Sequence, residues 1–182
     1  MSQTKNSETF SIPKGINCSI QNGIVTFKGP KGEVSKSFLH PLIKLNLNED
    51  KIELTTEKVR QTEKKLLNTF LSLLKNLVKG VSEGHMYKLK ICSGHFPMNV
   101  SLKNNVLEIK NFIGEAVPRK CALNSNAEVK LDGNFITVFG IDKELVSQVA
   151  ASIEKTTRRN GFDKRIFQDG IYIIEKDGKK IE

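Results

Sequence analysis

Several short stretches of the chain alternate between apolar and polar residues, as strands with one buried face do. Val25 and Phe27 share one face of such a strand, and Thr26 and Lys28 share the other. The preceding Asn22-Gly23 supplies the positive φ angles of a tight hairpin turn. The pattern therefore predicts antiparallel hairpins in sheets that are covered on one side only.

Two longer stretches, at about 60–79 and 142–158, carry apolar residues at steps of three and four. This spacing places them on one side of a helix, so each stretch predicts an amphipathic helix that covers a sheet. Phe70 and Val149 are central in the two stripes, and we expect both to be buried. A glycine follows each helix, where a left-handed cap residue is needed: Gly80 and Gly161.

The same pattern occurs twice along the chain. Residues 20–34 and 102–116 share an apolar residue, a two-residue turn, an alternating strand that ends in Lys, and a Gly-Glu-apolar triplet. Residues 45–54 match 129–138 in the same order, and a helical stretch follows each. We therefore predict an α+β fold of two tandem duplicated domains, each an antiparallel sheet with one helix packed on one face.

The repeat sets the predicted domain boundaries. Residues 1–10 form a loose N-terminal tail, 11–82 the first repeat, 83–175 the second repeat, and 176–182 a charged C-terminal tail.

The chain is basic, with 29 Lys and Arg against 20 Asp and Glu, a net charge of +9 and a pI near 9.5. This surplus favours a polyanionic partner, of which nucleic acid is the commonest. Polar residues interrupt the longest apolar stretch, so no membrane span is expected, and the polar N-terminus lacks the apolar segment of a secretory signal. Three widely separated cysteines make no disulfide framework, which favours a cytoplasmic protein with reduced thiols.

Candidate catalytic and metal-binding residues are few. Cys92 and His95 form a single C-x-x-H pair, and His85 and Cys121 are the only plausible further ligands, whereas a structural zinc site needs four ligands in close pairs. An odd spacing places Cys92 and His95 on opposite faces of a strand, which argues against a nucleophilic pair. We expect no enzymatic activity, cofactor, metal or small-molecule substrate, with His95 a polar residue at a strand end.

The best binding candidate is the basic segment at the end of the second helix, because five basic residues stand there against only Asp163. Phe162, Phe167 and Tyr172 interleave with the charges, as contacts to RNA bases require. One other interpretation is that the charges form a solvated face. For Phe162 and Phe167 themselves, we favour a place in the core. The five basic residues are Lys155, Arg158, Arg159, Lys164 and Arg165.

Two further segments extend the basic surface. Gly29-Pro30-Lys31-Gly32 has no G-K-[ST] motif and no following helix, so it predicts a turn between strands, not a phosphate loop. Lys28 and Lys31 on this turn are candidate contacts to an RNA backbone. In the C-terminal tail, Lys176 and its neighbours are further candidates.

Several motifs, in order along nearly the whole chain, resemble one family: universal large-subunit ribosomal protein six, called protein nine in eukaryotes. The form of the His-Phe-Pro motif resembles its eukaryotic and archaeal branch. The motifs are Lys28-Gly29-Pro30-Lys31-Gly32, the run from Lys79 to Lys90, His95-Phe96-Pro97-Met98-Asn99-Val100, the run from Glu108 to Glu115, and Asp169-Gly170-Ile171-Tyr172.

The resemblance implies two similar α+β domains and a structural role on large-subunit rRNA, near the sarcin–ricin loop and the stalk base where translational GTPases dock. It implies that the C-terminal domain makes most of the RNA contact, and neighbouring large-subunit proteins, stalk-base proteins among them, are the expected protein partners. The alternative is a free-standing RNA-binding regulator or adaptor with the same fold. The expected RNA-binding residues are Lys155, Arg158, Arg159, Lys164, Arg165, Gly170, Tyr172, Lys176, Arg119, Lys120, Lys28 and Lys31.

Overall fold

A computed structural model of the chain describes residues 6–48, 51–56, 60–124, 126–163 and 165–181. The chain divides into two compact units, Met1–Gly84 and His85–Glu182. The first predicted repeat, 11–82, ends close to the boundary between the units at Gly84. The second predicted repeat, 83–175, ends before the second unit does, because residues 176–182 were predicted to be a tail.

The described part of the first unit contains six strands and one long helix. Its strands form two antiparallel sheets, of order β1-β6-β5 and β2-β3-β4. The helix packs on strands of both sheets, and apolar side chains such as Phe27, Leu54 and Leu74 are fully buried between them. The elements are β1 Asn6–Ser11, β2 Asn17–Gln21, β3 Ile24–Gly29, β4 Gly32–Ser37, β5 Ile43–Asn48, β6 Lys51–Thr56 and α1 Gln61–Ser82.

The second unit begins with the same series and continues beyond it. A three-stranded sheet has the order β10-β9-β8, and a five-stranded antiparallel sheet has the order β11-β12-β7-β13-β14. One apolar core joins the helix to both sheets through residues such as Leu89, Leu107 and Ile153. The elements are β7 His85–Cys92, β8 Asn99–Lys103, β9 Val106–Lys110, the 3₁₀ turn Phe112–Gly114, β10 Arg119–Ala122, β11 Glu128–Asp132, β12 Phe135–Gly140, α2 Lys143–Thr156, β13 Gly170–Lys176 and β14 Lys179–Lys180.

The two units repeat one topology, which confirms the predicted α+β duplication. The order β1-β6-β5 corresponds to β7-β12-β11, and β2-β3-β4 corresponds to β8-β9-β10. The first hairpin turns on Asn22 and Gly23, with φ of 49° and 74°, and its counterpart on Asn104 and Asn105, with 49° and 58°. Each unit has a second sheet that the prediction did not include, because the alternation defines strands but not which strands pair.

Both predicted tails are wrong where the structure describes them. Residues 6–11 form β1, which pairs along its length with β6, so this part of the predicted N-terminal tail is a strand. Residues 1–5 lie outside the described residues. At the other end, β13 and β14 form a hairpin, and the Asp177 N–H donates to the Met86 carbonyl at 2.8 Å. Short polar strands were missed because their apolar alternation is weak, although backbone pairing holds them.

The helix ends differ from the expectation. Gly80 is buried inside α1, and the left-handed residue is Gly84, with φ of 85°, whose N–H donates to the Lys79 carbonyl at 3.1 Å. In the second unit α2 ends at Thr156, and the Thr157 hydroxyl donates to the Glu154 carbonyl at 3.0 Å. The predicted stripes hold, because Phe70 and Val149 are both buried.

Candidate nucleic-acid interface

The last turn of α2 is bound to the edge of β13 by two side chains. The Ile171 N–H donates to the Thr157 hydroxyl at 2.9 Å, and the Ile173 N–H donates to Glu154 Oε1 at 3.1 Å. These hydrogen bonds satisfy two N–H groups of β13 that would otherwise be free to pair with another strand. They fix the point from which the basic segment leaves the helix.

Arg119 binds the backbone at the same end of α2. Its guanidinium donates to both carboxylate oxygens of Glu115, at 2.6 and 2.8 Å, and to the carbonyls of Thr156 and Arg158, at 2.7 and 3.2 Å. The group also lies 4.4 Å above the centre of the Phe112 ring. Hydrogen bonding from Arg119 keeps the pKa of Glu115 below its usual value. A guanidinium has enough N–H donors to bind a carboxylate and carbonyls at the same time. Arg119 therefore fixes the backbone at the start of the basic segment.

Asp169 binds the loop that carries the His-Phe-Pro motif. Its Oδ1 accepts the N–H groups of Gly94 and His95, at 2.6 and 3.0 Å, and its Oδ2 lies 2.6 Å from His95 Nδ1. Burial acts to raise the pKa of Asp169, but the hydrogen bonds from His95 and Gly94 outweigh it and leave the pKa lowered. Asp169 is therefore held as a carboxylate that joins residues far apart in sequence.

A row of rings leads from this contact to the basic segment. The His95 ring lies 4.7 Å from that of Phe167, which meets Phe162 edge-on at 5.1 Å. The Arg159 guanidinium lies 4.0 Å above the Phe162 ring. The prediction that Phe162 and Phe167 belong to the core is wrong, because Phe162 is 37% exposed and Phe167 is only half-buried. The rings therefore contact one another at the surface of the second unit, with Phe162 and Phe167 edge to face.

A cavity of about 370 Å³ lies between α2, the edge of β13 and this loop. Its walls include the rings of Phe162, Phe167 and Tyr172, and the ring of Tyr172, which is 40% exposed, packs against Gly170. A Cβ atom on Gly170 would lie 3.2 Å from that ring, and the φ of +158° at Gly170 disfavours other residues. Gly170 thus gives Tyr172 its place at the cavity.

Three of the predicted cations of the second unit lie at this cavity. Lys155, Arg158 and Arg159 line it, and Lys155 and Arg158 are exposed. Arg165 is exposed beside Asp163, whose carboxylate accepts from Arg165 Nη2 at 2.8 Å. This hydrogen bond holds the pKa of Asp163 below its usual value and raises that of Arg165. Lys164 lies outside the described residues.

The other predicted contacts are separate from the cavity. Lys120 is exposed, with its Nζ 3.9 Å from Glu108, and Lys176 is exposed next to the β13–β14 turn. Lys28 and Lys31 belong to the first unit, where residues 29–32 form the predicted turn between β3 and β4. A Cβ atom on Gly29 would lie 2.8 Å from the Val81 carbonyl oxygen, so this glycine allows the turn to approach α1.

Sequence reasoning missed the residues that hold the site together. It treated His95 as a polar residue at a strand end, and it gave no role to Asp169, Glu115 or Phe112. The only signal that could have found them is their place in the motifs that carry the family resemblance. Three of those motifs meet here, because Asn111 also donates to the Pro97 carbonyl at 3.0 Å.

Within the described ranges, no group of three or more His, Cys, Asp or Glu side chains is placed to hold a metal ion. None of the helices in the described part of the chain is both long enough and apolar enough to cross a membrane.

The fold defines the class of protein as one built from two copies of the same α+β unit, of which the second presents exposed cations next to exposed rings. The sequence model of the family "Ribosomal protein L6" matches residues 12–84 and again residues 96–170. The chain belongs to this ribosomal protein family, which confirms the resemblance seen in the motifs.

Archaeal relatives match the chain almost end to end. "Large ribosomal subunit protein uL6" of Methanosarcina mazei is 45% identical over 170 residues, covering 93% of this chain and 97% of the relative. Proteins of the same name from Methanobrevibacter smithii and Nanoarchaeum equitans are 39% and 42% identical, covering 93% of this chain and 96% and 93% of their own lengths. The chain is therefore of the archaeal type within the family.

Proposed function

We propose that this protein is a structural constituent of the large subunit of a cytoplasmic ribosome. It binds rRNA near the sarcin–ricin loop and the stalk base, where it supports the docking region of translational GTPases. Its partners there are rRNA and neighbouring large-subunit proteins. Membership of a structural ribosomal family makes it a protein without enzymatic activity.

The observation that carries the proposal is the preorganised cationic end of α2. Arg119 donates hydrogen bonds to the backbone carbonyls of residues 156 and 158. The exposed cations of this segment therefore start from a fixed stretch of backbone. Fixed cations match the phosphates of a folded RNA, which proteins recognise largely by shape. The second unit is accordingly the main rRNA-binding domain.

The predicted residues divide into two roles in this proposal. Arg119, Gly170 and Tyr172 shape the surface, and the cations contact phosphates. Lys28 and Lys31 make a secondary contact from the first unit. The direct contacts of the second unit are Lys155, Arg158, Arg159, Lys164, Arg165, Lys176 and Lys120.

The test removes two adjacent cations and measures affinity for deproteinised large-subunit rRNA across a salt series. Each phosphate contact releases condensed counterions, so affinity falls with salt. Arg158→Ala/Arg159→Ala should weaken binding at low salt and flatten the log–log slope by about 1.5. Arg158 should contribute more than Arg159, because Arg159 already lies on Phe162.

The matched control is Lys64→Ala/Lys65→Ala, which removes two adjacent exposed cations from α1 in the first unit. We expect it to change affinity and slope little. If the control abolishes binding and the arginine pair changes nothing, the main surface is not in the second unit. Co-sedimentation of the chain with large subunits at moderate salt distinguishes the ribosomal role from the free-standing RNA-binding regulator.

A further inference from the structure

We propose that the cavity beside α2 receives one unstacked RNA base, with the adjoining phosphate held by the cations at its rim. This inference rests on the proposed function, since it names the part of an RNA that the second unit would take. It adds a base-binding site to the cations that the proposed function assigns to phosphate contact.

The walls of the cavity suit a flat aromatic ligand. Three aromatic residues line it, and Phe162 and Tyr172 are more than a third exposed, with the Arg159 guanidinium over part of the Phe162 ring. Because these side chains are partly exposed, a ligand that enters the cavity can remove some of their apolar surface from water, which favours binding. A nucleobase does so by stacking, which proteins use widely for unpaired RNA.

Two polar residues that line the cavity, Thr157 and Asp169, are already hydrogen-bonded within the protein. The Thr157 hydroxyl both accepts from Ile171 and donates to Glu154, and both oxygens of Asp169 are engaged by residues 94 and 95. A ligand that had to make many specific hydrogen bonds would find few partners here. Stacking makes no such demand, so the site should accept a base by its shape.

The rim supplies the charge that a nucleotide needs. Among the described residues, no carboxylate lies within salt-bridge distance of the Lys155 or Arg158 side chain. Both are exposed beside the rings and can approach a phosphate. A base flanked by a phosphate thus meets rings and cations in one place, whereas an apolar protein side chain would leave the cations unused.

The loop on the opposite wall is held in an unusual conformation. Ile113, which lines the cavity, has φ of 48° and ψ of 40°, a left-handed conformation that β-branched residues rarely adopt. Such conformations concentrate at binding sites, where the surrounding structure enforces them. Asn111 and Gly114, on either side of it in sequence, also have positive φ angles, of 57° and 75°.

The experiment is an NMR titration of the ¹⁵N-labelled full chain with adenosine 5′-monophosphate, compared with ribose 5-phosphate, which lacks the base. We expect the nucleotide to shift the amide signals of Thr157, Phe167 and Ile171 saturably. Ribose 5-phosphate should shift only the signals of the basic residues, and bind at least fivefold more weakly.

Phe162→Ala should weaken binding of the nucleotide at least fivefold. Phe135→Ala is the matched control, because Phe135 is similarly exposed, at 45%, in the same unit but does not line the cavity. It should leave the affinity unchanged. The amide spectra of both variants report whether they remain folded.

Equal shifts from the nucleotide and from ribose 5-phosphate would overturn the inference. It would also fall if N-acetyltyrosinamide bound the same amides more tightly than the nucleotide, because the cavity would then fit a neighbouring protein's side chain. Both results leave binding of rRNA intact, whereas failure of the wild-type chain to bind rRNA would refute the proposed function itself.

Discussion

Asp169 joins two segments of the second unit that are far apart in sequence. One buried carboxylate accepts two backbone N–H groups and lies against an imidazole, and through them it fixes a loop more than 70 residues away in sequence. Hydrogen bonds to a charged group are among the stronger ones in proteins. Asp169 thereby also positions the His95 ring, which is the first in the row of rings.

Asp169→Asn should lower the free energy of unfolding at pH 7 by about 1–3 kcal/mol, because a neutral amide accepts more weakly. The folded pKa of Asp169 lies below its unfolded value. Its stabilisation is therefore fully present above the unfolded pKa of about 4, and is lost as pH falls through the folded pKa. Urea denaturation between pH 7 and pH 3 should show a shallower acid decline in the variant than in the wild type.

Asp132→Asn provides the comparison, since Asp132 is an exposed carboxylate at a strand end. It should match the wild type at every pH. An acid decline that Asp169→Asn leaves unaltered would show that other carboxylates account for it.

At the scale of elements, each helix packs on strands of the sheets in its unit. In the first unit the Phe70 ring meets Phe38 edge-on at 5.3 Å and is 9% exposed. In the second helix Val149 is buried in the same way. The end of this helix also binds β13 and Arg119 through hydrogen bonds. The duplicated helices thus share a packing role, and the second one also leads into the cations that line the cavity.

Phe70→Ala should cost about 3–5 kcal/mol, because it leaves a cavity between helix and sheets. Chemical denaturation monitored by circular dichroism at 222 nm measures this loss. Phe135→Ala removes the same atoms from an exposed site and should cost less than about 1 kcal/mol. Equal losses for the two variants would show that the α1 stripe is not part of the core.

At the scale of the whole molecule, the two units have nearly equal charge. The first holds 13 basic and 8 acidic residues, and the second holds 16 and 12. Total charge therefore does not distinguish the units as binding surfaces. The difference lies in placement, because the second unit concentrates cations next to exposed rings.

The free protein should become more stable as salt is added at pH 7. A net charge of +9 repels itself, and salt screens that repulsion. Scanning calorimetry between 0.02 and 0.3 M salt should show a rising Tm. Near pH 9.5, where the net charge approaches zero, the same salt series should leave Tm nearly constant. A Tm that falls with salt at pH 7 would mean that attractive ion pairs outweigh the net repulsion.

The sequence by itself determined the features that depend on near neighbours. The turn at Asn22, the apolar stripe around Phe70 and the repeat of both units follow from spacings of a few residues, because backbone geometry links such spacings directly to strands, turns and helices. The family resemblance likewise follows from motifs readable in one line of letters.

Only the tertiary structure decided how the site is assembled. Asp169 reaches His95, and Arg119 reaches the carbonyls of Thr156 and Arg158, across separations that no local pattern encodes. The same holds for the exposure of Phe162, since an aromatic residue among charges fits a core and a surface equally well. Which of these it joins is decided by the elements that pack around it, and these meet only when the chain has folded.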